Sequence, residues 1–280
     1  MMHRLFRRFR HAGKALAMVA MVLASNAAWA QQSPALDRVS IWMGGYYAYA
    51  DTTIGAGDKS GQWNGGVHLE HDLGFNAHKT VPRARLDFLL GDSQGFSLDF
   101  YSVNRASRER LARDIRYAGN NYAIDTTVRS QLDFDFGSAA YRWWFGHGND
   151  VFGLGLGGAY YRVHAALASA AMVNGIPAGQ ASSESRIGAW APMLQLGWRH
   201  AFNDQWRIYV DASGVKKNGG RLSGHIYNAA LGAEWFPWRN VGVGAEYGYT
   251  RIKLDQRKHD YDLSLDMQLD GPSLFARFRF

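Results

Sequence analysis

Cysteine is absent from all 280 residues. No disulfide can staple this fold, so it must hold by backbone pairing and packing. After residue 30 there is no run of about eighteen apolar residues, which excludes helical membrane spans. A true charge excess is missing as well. The formal +7 and the pI of ≈ 9.6 arise mostly in the first thirty residues, where MMHRLFRRFRHAGK carries Arg4, Arg7, Arg8, Arg10 and Lys14 and no acid. The remainder holds 26 Lys+Arg against 24 Asp+Glu. No basic cluster or nucleic-acid motif replaces the leader's charge, which removes nucleic acid as a partner.

The basic start is followed by the short apolar run ALAMVAMVLA and by SNAAWA, whose Ala28-Trp29-Ala30 fits a small-x-small cleavage site. Residues 1–30 therefore read as a cleaved secretory signal peptide, and residues 31–280 as one large all-β domain.

What fills that domain is alternation. In PRARLDFLL, Ala84, Leu86, Phe88 and Leu90 oppose Arg83, Arg85 and Asp87. In GFSLDFYSV, Phe96, Leu98 and Phe100 oppose Ser97, Asp99 and Tyr101. QLDFDF sets Leu132, Phe134 and Phe136 against Asp133 and Asp135. After the small step Gly137–Ala140, Tyr141, Trp143 and Phe145 oppose Arg142, a change of phase that suggests a β-bulge. The same scheme recurs in VFGLGLGG, MLQLGWRHAF, QWRIYVDA, HIYNAALGAEW and VGVGAEYGYT, with Arg199, Arg207, Asp211, Glu234 and Glu246 on the polar side. A period of two over so many segments is a strand signature.

Connections alternate too. Tight turns fall at GDSQ (91–94), GHGN (146–149), ND (203–204) and PWRN (237–240), and longer stretches at 51–78, 108–124, 168–182, 214–223 and 254–262. Short and long turns at opposite ends of a meander are what an outer-membrane barrel has. The count is ten strands, or twelve if GGVHLEH (65–71) and DIRYAGNNYAI (114–124) also cross; either even number leaves both termini periplasmic. Hydrocarbon offers a backbone amide no partner, so the sheet must close, with its apolar face outward and its polar face in the lumen.

On these residues the chain resembles the outer-membrane β-barrel proteins of Gram-negative bacteria, most like the small barrels of the OmpA/OmpX/OmpW type. The resemblance implies Sec-type export to the outer membrane, and contact with its lipids and lipopolysaccharide. It also implies that the terminal strand GPSLFARFRF, with Leu274, Ala276, Phe278 and Phe280 on one face, is the signal read by the barrel-assembly machinery.

The expected lumen carries seven cations, Arg83, Arg85, Arg142, Arg199, Arg207, Arg277 and Arg279. It carries seven anions, Asp87, Asp99, Asp133, Asp135, Asp211, Glu234 and Glu246. A balanced set in a small barrel reads as a salt-bridged filling rather than an ion-selective pore. Arg207 with Glu234 is the pair expected on adjacent strands. Trp42, Tyr46, Trp143, Trp198, Trp206, Trp235, Trp238, Tyr247 and Tyr249 read as interfacial girdles.

Catalytic signals are weak. GHIYNAAL echoes the lipid A 3-O-deacylases around His225, but Tyr227 stands where a serine nucleophile would be needed. An omptin-like protease would need acids and a His at the outer rim, where QRKHDYD offers His259, Asp260 and Asp262, but a charged loop is far more often simply solvated. His147 falls in a tight turn. HLEHD places only His68 and Glu70 on one face, and no metal or other cofactor is implied. The expected role is structural or interactive, with a narrow channel for small or lipophilic solutes as the alternative and a lipid A-modifying enzyme behind it. A soluble calycin-like barrel, apolar inside and charged outside, is the rival at the level of fold.

Overall fold

The computed structural model describes residues 33–58, 64–117, 120–122, 124–173, 176–219, 222–257 and 261–280. Ten antiparallel strands form one closed barrel. They are β1 (Val39–Asp58), β3 (His78–Leu89), β4 (Gln94–Arg110), β7 (Thr127–His147), β8 (Asp150–Val173), β9 (Ile176–Ala201), β10 (Trp206–Lys217), β11 (Leu222–Trp235), β12 (Val241–Arg257) and β13 (Tyr261–Arg279). Each pairs with the next, and β13 returns to β1 in one register from Ser40↔Arg279 to Asp58↔Tyr261, interrupted between Tyr46↔Ser273 and Tyr49↔Asp270. No barrel strand is left as a bare edge.

The two short pieces do not cross. Residues 65–71 divide into β2 (Asn64–His68), which pairs only with the far end of β1, and a one-turn helix, α1 (Leu69–Asp72). β5 (Ile115–Tyr117) and β6 (Asn120–Tyr122) pair with each other in a separate two-stranded sheet. The barrel therefore has ten strands, not twelve. The expected leader, residues 1–30, lies outside the described residues, as do His259 and Asp260.

Near the tight turns the outer surface is apolar and bare. Phe100, Phe145, Phe152, Leu156, Leu196, Leu231 and Leu274 are all more than half exposed. A contiguous belt of this kind far exceeds what a protein shows to water. Aromatic residues bracket it. Trp206 and Trp235 stack at 6.0 Å beside Trp238 at the turn end. Tyr47 and Tyr49 around His78, Tyr160 against Trp190, Tyr227 and Tyr247 mark the other rim. Along β11 the rims are eight residues apart, Trp235 to Tyr227. That is about 26 Å of strand, or about 20 Å of height at the roughly 40° tilt of such strands, on the scale of an outer-membrane barrel's apolar band of about 25 Å.

Above the tyrosine rim every strand keeps its course while its faces exchange polarity. On β8, Phe152, Leu154 and Leu156 point outward at the belt. Two turns of the pleat later the outward positions are Arg162 and His164, and Tyr161, Val163, Ala165 and Leu167 are buried inside. On β13 the change comes at Gly271–Pro272: Leu274 and Phe280 are bare outside, whereas Leu263, Leu265, Met267 and Leu269 are buried within. The upper interior is one continuous apolar cluster.

This exchange corrects four expectations. There is no bulge at 137–140: the β7–β8 register runs unbroken from Thr127↔Ala170 to His147↔Asp150. Leu132, Phe134 and Phe136 face inward and are at most 1% exposed. Asp133 and Asp135 consequently lie outside the barrel, not in the lumen. Trp42 and Tyr46 are likewise buried inside rather than in a girdle. Of the stretches expected as loops at 168–182, 214–223 and 254–262, the described residues are largely strand. β8 runs 24 residues and β9 26, more than twice the 9–11 or so that cross a bilayer.

The two zones give an expected outcome for lipid contact. In brominated lipid, a fluorescent label at Leu196 or Phe278 should be quenched. One at Asp133 should not, although Asp133 also points out of the barrel.

Candidate functional site

The lumen is built in layers, starting from the tight-turn end. Asp37, just before β1, accepts two hydrogen bonds from Arg207 at 2.8 and 2.9 Å and lies 3.6 Å from Arg277 and 4.0 Å from Arg279. Glu234 accepts from Arg277 at 2.6 Å. Arg207 and Glu234 are backbone partners, as expected, but each turns to a different ion. Asp37 was missed because it precedes the strand pattern. Its signal is arithmetic: with Asp133 and Asp135 outside, the lumen would be short of anions. Arg279 closes the base, donating to the carbonyls of Arg239 and Asp204 at 2.6 and 3.0 Å and lying over Phe236.

The next layer centres on Asp211. Its carboxylate accepts from Arg85 at 3.1 Å, Arg142 at 3.2 Å and Arg199 at 3.4 Å, while Asp87 stands 3.9 Å from Arg199. Arg142 also donates to Gln195 at 2.8 Å. Aromatic rings occupy the space between: Arg142 and Arg199 lie over Trp144, and Arg85 over Trp42, which stacks on Phe275 at 4.7 Å. Glycine makes room for these rings. A Cβ on Gly153 would meet Trp144 at 2.8 Å, and one on Gly244 would collide with Phe275. Gly153, Gly242 and Gly244 are thus the complement of rings reaching across the lumen, whereas Gly155 makes room for Gln195.

A third layer joins Arg83 bidentately to Asp99, with Glu246 3.6 Å from Arg83 and accepting from Tyr209 at 2.5 Å. A polar cavity lies among these two layers, lined by Arg85, Arg142 and Asp211 as well as Arg83 and Asp99, and reaches Asn228, Thr250 and Tyr46. Beyond it the interior turns apolar. Of the fourteen charged residues expected in the lumen, the layers hold Arg83, Arg85, Asp87, Asp99, Arg142, Arg199, Arg207, Asp211, Glu234, Glu246, Arg277 and Arg279. Asp133 instead contacts His164 at 3.2 Å and Asp135 pairs with Arg162 at 2.6 Å on the outer wall. Leu274, Ala276, Phe278 and Phe280 share the outward face of β13.

The upper chamber is covered where the wall splits. Pairing between β3 and β4 ends at Arg83↔Tyr101, whereas β4 stays paired with β7 as far as Arg110↔Thr127. Residues 69–77 lie across this seam and bury Leu69, Leu73 and Phe75. Arg105 fastens them, donating to Glu70 at 2.6 Å, Thr52 at 2.8 Å and the Asn76 carbonyl at 2.9 Å. Arg113 ties α1 to the segment after β4 through Asp72, at 2.5 and 3.1 Å. Burial alone would raise the Asp72 carboxyl, but the hydrogen bonds from Arg113, the His68 amide and His71 outweigh it and hold the carboxyl at about 2.

The other sequence candidates stay apart. His225 and Tyr227 both point outward and lie ring to ring at 4.9 Å. His68 contacts Thr53 at 3.0 Å, and Glu70 faces Arg105 instead. His147 sits at the tight-turn end. Among the described residues, no three of His, Asp and Glu converge on a point that could hold a metal.

Two outcomes follow from this geometry. Asp211→Ala strands three buried arginines and should cost about 3–5 kcal/mol. Asp133→Ala, on the outer wall, should change stability by about 0.5 kcal/mol or less. The temperature at which the folded gel band disappears reads both. Because its carboxyl is held low in the folded protein, Asp72 stabilises the cover fully above its ordinary value near 3.8. That contribution fades as pH falls toward 2. Amide exchange at Leu73 and Phe75, corrected for its intrinsic pH dependence, should accelerate over that interval, and Asp72→Asn should show the faster exchange already at neutral pH.

No family model matches this chain, and no curated protein does. Solved structures do. The outer membrane protease OmpT from Escherichia coli aligns at 11% identity over 86% of this chain and 96% of that one, with a TM-score of 0.50. The outer membrane protein OprG from Pseudomonas aeruginosa aligns at 10% identity over 89% and 100%, with a TM-score of 0.41. Identities this low speak for architecture alone, and the chain has the closed antiparallel barrel fold of outer-membrane proteins.

Proposed function

We propose that this protein is an integral barrel of the Gram-negative outer membrane with a structural or interaction role. Residues 1–30 serve as its cleaved Sec-type leader, and both termini lie in the periplasm. It holds a β-walled, water-facing upper barrel above the bilayer. The observation that carries this reading is the filled lumen. Three stacked ion layers and the rings of Trp42, Trp144, Tyr209 and Phe275 occupy the cross-section at belt height, so there is little room for a solute file. Carboxylates and guanidinium groups are interleaved through the layers, which leaves no strongly one-signed lining to select ions.

The upper wall is what such a plugged barrel has to offer. Past Tyr160, β8 continues for thirteen residues to Val173, about 43 Å along the strand. Its outer surface carries both signs of charge: Arg162, His164 and Arg186 lie among Asp133, Asp135 and Glu184. That surface would meet lipopolysaccharide sugars or a partner outside the cell. At the other end, Leu274, Ala276, Phe278 and Phe280 form the outward stripe that the barrel-assembly machinery would read.

Purified, refolded protein in a planar bilayer should give no steady conductance. Reproducible single-channel steps would replace this reading with transport.

A further inference from the structure

Where the β3–β4 ladder ends, the two strands part and leave a cleft in the outer wall. From Pro82 back to His78, β3 is paired with β1 alone. The cleft beside it measures about 370 Å³. Tyr47, His78 and Ala106 are exposed members of its lining, and Phe75 and Arg105 are buried ones. Its volume falls within the range of small-ligand pockets, about 300–1,000 Å³.

Two cations border the cleft, and they differ in what they already hold. Arg105 is 4% exposed and donates to Glu70, Thr52 and the Asn76 carbonyl, so its charge and its donors are engaged. Lys79 is partly buried and makes no hydrogen bond or ion pair among the described residues. Lysine is rarely drawn out of water without a partner. A compact ammonium on a flexible stem is also a binder of phosphate. The cleft thus presents a positive charge that the protein itself does not neutralise.

Beside that charge the cleft is aromatic. Tyr47 and His78 lie parallel at 5.3 Å, and Tyr49 meets the same imidazole edge-on at 5.6 Å. Tyr47 stays 52% exposed. Such rings offer an apolar face with a polar edge, which suits the C–H face of a pyranose. Asn76 and Thr80, also exposed in the lining, supply an amide and a hydroxyl for the sugar's own hydroxyl groups. An interfacial girdle asks for rings at this depth. It does not ask for a cleft and an unpaired ammonium next to them.

We infer that the cleft binds a phosphorylated sugar, its pyranose against Tyr47 and its phosphate on the Lys79 ammonium. Phosphate alone would use only the lysine, and a neutral sugar only the rings. A soluble sugar phosphate and the headgroup of a phosphorylated glycolipid share this chemistry. Tyr47 belongs to the rim where headgroups lie, so the glycolipid is the expected source. The cleft is in the wall and not in the lumen, so the inference holds whether or not the barrel conducts. Only the source of the ligand rests on the membrane reading.

The test uses glucose 1-phosphate and methyl glucoside, read by saturation-transfer NMR on the full barrel refolded in phosphatidylcholine nanodiscs, with empty nanodiscs subtracted. Glucose 1-phosphate should bind saturably and methyl glucoside about tenfold or more weakly, the worth of one charge-assisted hydrogen bond. Lys79→Gln should bring the two probes to the same affinity. Tyr47→Ala should weaken both about fivefold. Lys216→Gln, at an exposed cation of β10 away from the cleft, should change neither. Exchanging part of the lipid for lipid A should displace glucose 1-phosphate; failure to displace it assigns the ligand to solution instead of the leaflet. Equal affinity of the two probes for the unaltered protein, no saturable binding of glucose 1-phosphate, or a preference that survives Lys79→Gln would each overturn the inference. So would a loss on Lys216→Gln equal to that on Lys79→Gln. The folded gel band checks structure, and should Lys79→Gln fail to fold, unchanged binding to Tyr47→Ala overturns the inference by itself. A protein that stays in solution without the nanodisc would sink the membrane reading alone, for the same titration can be run on it in buffer.

Discussion

A strand has two faces and cannot exchange them without a slip in register, yet the solvent outside this barrel changes along its length. At the belt the outer medium accepts only carbon, so polar groups go inward. Above the tyrosine rim the outer medium is water, and carbon goes inward instead. The rest of the structure depends on this single change of solvent. It sets where Asp99 gives way to Tyr101 and Val103 on the inner face of β4. It likewise sets where Phe100 gives way to Ser102 and Asn104 on the outer face. A membrane barrel and a water-soluble barrel are joined end to end on the same ten strands, with no break in pairing at most of the joins.

Much of this was legible in the sequence, and the part that was not shares one cause. Alternation located all ten strands and the four tight turns, because period two marks a strand whichever face is apolar. Face assignment used one rule, apolar outward, and it held for Leu86, Leu98, Leu196 and Leu274. It failed at Phe134 and Phe136, and with them at Asp133 and Asp135. The deciding signal was present. In QLDFDFGSAAYRWW the apolar positions shift from even to odd at Gly137–Ala140, and in DLSLDMQLDGPSLFARF they shift from odd to even at Gly271–Pro272. Both strands run down to the tight-turn end, and both shift beside the tyrosine rim. A bulge would explain one strand; only a boundary between solvents explains both at the same height. Asp37 and the Arg105 fastening were invisible for another reason: each joins residues remote in sequence through side chains alone, and no periodicity reports that.

Inside the belt, charge and ring size were solved together. Arginine suits a lumen this narrow because its planar head can lie on an indole while its edge reaches a carboxylate. Arg142 and Arg199 both lie over Trp144, and Asp211 accepts from both. The rings need depth, and glycine on the neighbouring strand provides it. Such buried ions add little net stability over a well-packed apolar core. An apolar filling, however, would make the two faces of every belt strand equally greasy. Register would then be weakly specified, for a slip of one residue would cost little. The ion layers are best understood as what fixes each strand's rotation and so keeps the apolar stripes turned outward.

The seam between β3 and β4 follows from the same boundary. Within hydrocarbon an interrupted ladder would leave bare amides at several kcal/mol each, and none of the ten pairings is interrupted at belt height. The β3–β4 ladder stops one rung beyond Phe100, the last bare apolar residue on the outer face of β4. The next residue of β3 is Pro82, which has no N–H with which to continue it. Above that point water and side chains can satisfy the freed groups, and Arg105 and Ser107 do so through the carbonyls of Asn76 and Gly74. A wall held by side-chain bonds opens at lower cost than one held by a ladder. The barrel is therefore closed most firmly where lipid would punish a gap. Its easiest opening lies directly above, beside the apolar chamber.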